Sequence, residues 1–271
     1  MEPIRSREYK LMLAAARFTG EEDSLSDAAS ILWRNLAGII VPTAVSVSGT
    51  DNIQRKTRTV RFLDTADHWL RRNDYVVRER IDQADGVREL TLKFRHPDRF
   101  ISQDRDMKPA DRFAEDMKFE EDIKPRFQSL FSFSSSVALD SEDVIETLKD
   151  VAKLFPGLAQ AVVDMPKTEA LTAVGGFTAY ERIIKGTRFQ IRRDPEVFAD
   201  CCLTLWYDHE AAPQPILAEF SFNYENADGE YTAVMARRAH DAFIAIQDGL
   251  GDWIDVESQT KTAYVYSQAD A

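Results

Sequence analysis

The chain is poor in the residues that mark many enzyme classes. It has two cysteines and four histidines in 271 residues. Cys201 and Cys202 are adjacent, and neighbours on a strand point to opposite faces, so they form neither a chelate nor a disulfide framework. His68, His96, His209 and His240 are scattered and show no HExxH spacing, which leaves them surface or packing roles. No GxxxxGK[ST] loop and no dinucleotide-binding glycine fingerprint occurs, so the usual phosphate cradles are absent. No apolar run reaches 18 residues, so no transmembrane helix is expected. MEPIRSREYK lacks the apolar stretch of a secretory signal, and the expectation is a cytoplasmic protein. Low-complexity tracts and internal repeats are missing too.

Cationic excess is also lacking. The net charge is −12 and the sequence pI about 4.9. That balance argues against nucleic acid and anionic membranes as partners, while permitting a local basic pocket inside an acidic shell. With 44% hydrophobic and 30% charged residues the composition is globular, and we read residues 1–271 as a single domain.

Charge alternation is what the chain does have. In YVVRERI, Arg78 and Arg80 share one strand face, opposite Val77, Glu79 and Ile81. In RELTLKF, Glu89, Thr91 and Lys93 share a face, opposite Leu90, Leu92 and Phe94. Asp85-Gly86 joins the two runs as a hairpin turn. One such hairpin is also what a sheet with one wet face produces. The alternation recurs, however. Ser6, Glu8 and Lys10 share a face of a first strand over 5–14, and Lys118, Glu120 and Asp122 share one in KFEEDI. Several cationic strands facing one lumen would repel unless they held anions.

Around these strands the spacing predicts a helix over 26–36, capped by Ser24 or Ser26 and ended by Gly38. It predicts a strand or hairpin over 42–64 and a polar excursion over 96–116. A second helix is predicted over 140–157, with Ile145, Leu148, Ala152 and Phe155 inward. Two strands are expected within 176–193, with Arg182, Lys185, Arg188 and Arg192 available. CLTLWYD and PILAEFSFNYE read as further strands, and Asp228-Gly229 as the turn into a long helix striped by Met235, Ala239, Ala242, Phe243, Ile246 and Leu250. The fold class expected is α+β: an antiparallel eight-stranded β barrel, or tunnel, with helices packed outside. Asp64-Thr65 suits either a strand-end brace or a substrate contact, and Asp208 suits a turn. Trp33, Trp69, Trp206 and Trp253 read as packing residues.

The ordered series Glu8-Tyr9-Lys10, Phe62-Leu63-Asp64-Thr65, Arg78-x-Arg80, Leu90-Thr91-Leu92-Lys93, Glu120, Glu219 in AEFSF, and Thr260-Lys261-Thr262-Ala263-Tyr264 resembles the CYTH superfamily, the triphosphate tunnel metalloenzymes. The resemblance runs from about residue 6 to 266 and is most specific over 62–93. It implies an eight-stranded antiparallel tunnel in which cations hold a triphosphate and carboxylates hold Mg²⁺ or Mn²⁺. Carried over, Lys10, Arg78, Arg80, Lys93 and Arg182 would contact phosphate, and Lys261 would be the family's terminal lysine. Glu8, Glu120, Asp122 and Glu219 would line the metal side. Glu8, Lys10, Arg78, Arg80 and Lys93 would carry catalysis.

Two departures stand out. The family's Glu-x-Glu-x-Lys is Ser6-x-Glu8-x-Lys10 here, and its late Glu-x-Glu is reduced to Glu219 alone. Since Mg²⁺ often takes only one or two protein carboxylates, Glu8 and Glu219 on opposite walls are expected to share one ion. The implied activity is hydrolysis of inorganic, nucleoside or thiamine triphosphate. A cyclase of the class IV adenylate type, and a binding protein for polyphosphate or nucleotide, are the alternatives.

Overall fold

The computed structural model describes residues 3–49, 54–140, 142–162, 164–225 and 231–269. Among them eleven strands run in chain order: β1 (Ser6–Leu13), β2 (Ser46–Ser48), β3 (Gln54–Asp64), β4 (Tyr75–Asp82), β5 (Arg88–His96), β6 (Met117–Lys124), β7 (Gln128–Leu139), β8 (Thr172–Ala173), β9 (Ala179–Arg193), β10 (Glu196–Tyr207) and β11 (Leu217–Glu225). The helices are α1 (Glu22–Ile40), α2 (Trp69–Arg72), α3 (Arg99–Gln103), α4 (Leu148–Leu154), α5 (Gly157–Ala161), α6 (Ala233–Gly249) and α7 (Lys261–Ser267).

Nine of the strands close into a barrel in the order β1-β6-β7-β5-β4-β3-β9-β10-β11 and back to β1. The tunnel expected from the charge alternation is therefore present, with nine staves instead of eight. The ninth changes the pairing. An odd ring cannot alternate direction at every joint, and β1 against β6 is the parallel joint. All other neighbours around the ring are antiparallel. The short strands β2 and β8 add to β9 and β3.

The period-two pattern sends apolar side chains outward, so the hydrophobic cores lie between the barrel wall and its covering helices. Tyr9, Leu11, Phe220 and Phe222 meet Leu32, Trp33 and Leu36 of α1 and Phe243 and Ile246 of α6. On another side Val77, Leu90, Leu92, Phe94 and Phe119 are covered by α4, by Phe155 and by Met107 of the 96–116 excursion. The excursion thus covers the outer wall, with Met107 fully buried and α3 as its one helical turn. A third core of Phe62, Trp206, Leu217, Val265 and Tyr266 packs α7 against one end of the barrel.

Several elements differ from the expectations drawn from the sequence. Helix α1 starts at Glu22 and ends at Ile40, because Leu25 and Ile40 extend its buried stripe; Ser26 donates back to the Glu22 carbonyl instead of capping, and Gly38 lies within the helix. The helix expected over 140–157 is confined to α4. Thr147 and Asp150 form a reciprocal capping box there, which fixes the start at Leu148. Leu148 and Phe155 are nevertheless buried, and Ile145 and Ala152 pack beside them. The region 176–193 carries one long strand, β9, instead of two. Its Gly186 makes no turn. It allows the Trp33 indole to press on the backbone, since a Cβ would sit 2.7 Å from the indole nitrogen. Strand β7 is not evident in the sequence because serines, not charges, alternate with its phenylalanines. Helix α6 buries Met235, Ala239, Ala242, Phe243 and Ile246 as expected. Asp228-Gly229 lies outside the described residues. No helix among the described residues is long and apolar enough to cross a membrane.

Candidate functional site

The barrel encloses a water-accessible space of about 1080 Å³ lined by inward side chains of all nine staves and by the 254–262 segment. Register decides who faces in. The hairpin of β4 and β5 sets Arg78 opposite Thr91 and Arg80 opposite Glu89. Strand β3 sets Phe62 opposite Arg78 and Val60 opposite Arg80. Basic side chains outnumber acidic ones in this lining, although the whole chain carries −12.

Three charged groups can be distinguished. The first is an arginine cluster of Arg58, Arg78 and Arg80. Arg58 is paired with Glu181, and Arg80 with Glu89 at 3.3 Å. Arg78 has no hydrogen bond or ion pair among the described residues, and its Nε is buried without a partner. Burial, together with the neighbouring Arg80 and Arg58, pushes the Arg78 guanidinium well below its ordinary pKa; burial and Arg58 do the same to Arg80 in lesser degree. Arginine keeps its proton across the working range, so the downward push expresses how unfavourable the charge is there without an anion.

The second group lies on the parallel joint. Glu8 and Asp122 are register partners on β1 and β6. The Lys10 ammonium lies 2.8 Å from each. Asp122 also accepts from Arg95 at 3.0 Å and from Ser132 at 2.9 Å, and Lys93 lies 3.5 Å from Glu120 and 3.7 Å from Asp122. Burial opposes ionisation of Asp122, but Lys10, Lys93 and Arg95 outweigh it and hold this carboxyl well below the usual carboxylate range. Burial likewise opposes a charge on Lys10, and Asp122, Glu8 and Glu219 outweigh it, so Lys10 sits above its ordinary value. For Lys93 burial prevails and the shift is downward.

The third group is Glu219 with Lys261, 2.7 Å apart. Lys261 opens α7 and reaches the tunnel from outside the barrel wall.

Of the site residues expected from the sequence, Glu8, Lys10, Arg78, Arg80, Lys93, Glu120, Asp122, Glu219 and Lys261 all line the tunnel. Arg182 does not. Its neighbours Glu181 and Ile183 face in, so parity sends Arg182 outward, where it lies over the Tyr207 ring at 4.6 Å and 3.7 Å from Glu22. Lys185 is the inward cation of that strand. The placement expected of Glu8 and Glu219 also differs. They are not on opposite walls. Strands β1 and β11 are neighbours, with Glu8 opposite Asn223 and Glu219 opposite Met12. Four residues separate them, about 13 Å along a strand, and Lys10 stands between.

Sequence reasoning missed Arg58, Arg95 and Glu181, and it named Lys185 as available but chose Arg182 from that segment. For the two arginines the signal was parity, since Arg58 shares that of Phe62 and Val60, and Arg95 that of Lys93. Asp64 is a brace. It accepts from the backbone N–H groups of Thr65, Leu70 and Arg71 and from the Tyr266 hydroxyl. Asp208 is exposed in a turn, as expected, and none of the four histidines lines the tunnel. Trp206 packs in the wall and donates its indole N–H to Glu181 at 2.8 Å.

Among the described residues no three Cys, His, Asp or Glu side chains converge as a ready chelate. The adjacent Glu8 and Asp122 supply two carboxylates on one wall. Two suffice for Mg²⁺ or Mn²⁺ when phosphate oxygens and water complete the shell.

No family model and no curated protein matches the chain. Among solved structures it is similar to the candidate adenylyl cyclase HpAC1 of Hippeastrum, described as having a dominant triphosphatase activity, at 13% identity, covering 97% of this chain and 95% of that one, with a TM-score of 0.46. A candidate adenylate cyclase of Bacillus halodurans matches at 13% identity, 97% and 96% coverage and a TM-score of 0.41. One of Vibrio parahaemolyticus matches at 10% identity, 98% and 99% coverage and a TM-score of 0.37.

Proposed function

We propose that this protein binds a triphosphate in the barrel and hydrolyses it with a divalent metal. The observation that carries the reading is Arg78: a guanidinium inside the tunnel, beside Arg58 and Arg80, with no direct ion pair of its own among the described residues. Glu181 and Glu89 are engaged by Arg58 and Arg80, so a multiply charged anion would relieve the repulsion that remains. Arginine forks match phosphate oxygens, and Lys10, Lys93, Lys185 and Lys261 add point charges around them. Phosphoryl transfer asks little covalent chemistry of a protein; it needs the group positioned and its charge neutralised. The focusing of field in a low-dielectric tunnel strengthens each of these contacts.

Glu8 and Asp122 would hold Mg²⁺ or Mn²⁺, displacing Lys10 toward phosphate. When bound, the ion neutralises charge on the transferred group and orients a water. Lys10 thereby serves both arrangements, as counterion to two carboxylates before binding and as a phosphate contact afterwards.

A second reading is a triphosphate-binding protein without turnover. It draws on the ion pairs that already occupy Glu8, Glu120, Asp122 and Glu219. One experiment separates the two. The protein is incubated with inorganic triphosphate, ATP or thiamine triphosphate, each with Mg²⁺ or Mn²⁺, and the products are identified. Orthophosphate release that needs the metal and falls in Asp122→Asn supports hydrolysis. Tight binding without turnover supports the second reading, cyclic AMP from ATP would make it a cyclase, and absence of binding overturns them all.

A further inference from the structure

The turn from β6 into β7 reads Lys124-Pro125-Arg126-Phe127-Gln128. Arg126 and Phe127 both adopt left-handed backbone, with φ of 64° and 55°. Two consecutive non-glycine residues in that region are unfavourable and persist only when the surroundings enforce them. The enforcement is visible. The Phe127 ring stacks on His240 of α6 at a centroid distance of 4.2 Å and meets Phe243 edge-on at 5.7 Å.

What the strained turn presents is a pair of cations. Lys124 and Arg126 both line the tunnel, and neither side chain has a hydrogen bond or ion pair among the described residues. Strands β1 and β6 are parallel and end at the same mouth, where Leu13 bridges to Ile254 and the chain continues to Lys261. Arg126 therefore stands on the rim of the mouth that also carries Lys261. Lys124 lies nearer Lys10, Arg95 and Asp122, whose charges it senses.

We propose that Arg126, with Lys124 behind it, is a substrate-contacting residue of the rim, which catches the incoming triphosphate and holds its outermost phosphate. The proposal rests on the reading of the tunnel as a triphosphate site. Hairpin closure between Lys124 and Gln128 and the Phe127 packing hold the turn, and the turn in its fixed form leaves the exposed Arg126 at the tunnel lining.

The test pairs affinity with stability. Inorganic triphosphate is titrated calorimetrically into wild type, Arg126→Gly, Arg126→Gln and Arg78→Met, and each ligand-free melting temperature is measured. Glycine accepts the left-handed backbone freely. Arg126→Gly is expected to melt higher than wild type while its Kd rises about tenfold, a change of about 1.4 kcal/mol. Arg126→Gln, which keeps the β-carbon and loses the charge, is expected to lose the same affinity without the gain in stability. Wild-type affinity in both Arg126 variants, with weakened binding in Arg78→Met, overturns the rim contact and leaves the tunnel reading standing. No triphosphate binding by wild type overturns both.

Discussion

Replacing Arg78 with methionine should stabilise the ligand-free protein and weaken its hold on triphosphate. Methionine keeps the unbranched stem that packs along the wall but removes a charge that faces Arg58 and Arg80 and makes no direct ion pair among the described residues, Glu181 and Glu89 offsetting the repulsion only in part. Relief of that repulsion is worth on the order of 1 kcal/mol, which for a chain of this size raises the melting temperature by about 2–4 °C. The same substitution deletes a charge-assisted contact to phosphate, worth about 1.5–3 kcal/mol. Taking about 2 kcal/mol, the Kd rises roughly thirtyfold. At a concentration a hundred times the wild-type Kd, triphosphate stabilises wild type by about 2.7 kcal/mol and the variant by only about 0.9 kcal/mol. The order of melting temperatures should therefore cross, with the variant higher in buffer and lower in millimolar triphosphate. Differential scanning fluorimetry reads both quantities on the same plate. A variant that melts lower in buffer, yet shifts as far as wild type with ligand, would refute the view of Arg78 as an unsatisfied anion contact.

Two further outcomes follow from buried carboxylates. Burial pushes the Glu181 carboxyl up, but Arg58, Lys261, Arg80 and the Trp206 N–H outweigh it and bring it down to about 2. A folded-state value below the unfolded one of 4.5 means that its stabilisation is complete above that pH and is lost as the pH falls toward about 2. Glu181→Gln should flatten the acid limb of a melting-temperature profile between these limits, and an unchanged limb would show that other groups control it. Glu219→Gln frees the Lys261 ammonium from its 2.7 Å partner while keeping the side chain's shape. Metal-free triphosphate affinity should rise severalfold in calorimetric titration, and a fall would mean that Glu219 itself organises the phosphate contacts.

The alternation of charged and apolar residues at period two settles much about this protein from the chain alone. It puts Arg78, Arg80, Lys93, Glu8, Lys10, Glu120 and Asp122 on the polar faces of strands, and their recurrence points those faces toward a common lumen. That information is local, because a strand's two faces are fixed by sequence parity alone. Parity does not settle Arg182 against Lys185, because a register shift in β9 flips its faces: Lys185 lines the tunnel, whereas Phe189 and Ile191, of the same parity, join the outer core. What the chain alone cannot state is pairing. That β1 joins β6 in parallel, that Glu8 therefore has Asp122 as neighbour, and that Glu219 lies four residues along an adjacent strand are consequences of ring closure with nine staves. Register between segments distant in the chain depends on how all the outer apolar faces are covered at once by α1, α6, the 96–116 excursion and α7. The same holds for the lack of a direct ion pair at Arg78 among the described residues and for the aim of Arg126. A charge is legible in a sequence, whereas the absence of a partner is a property of the assembled space around it.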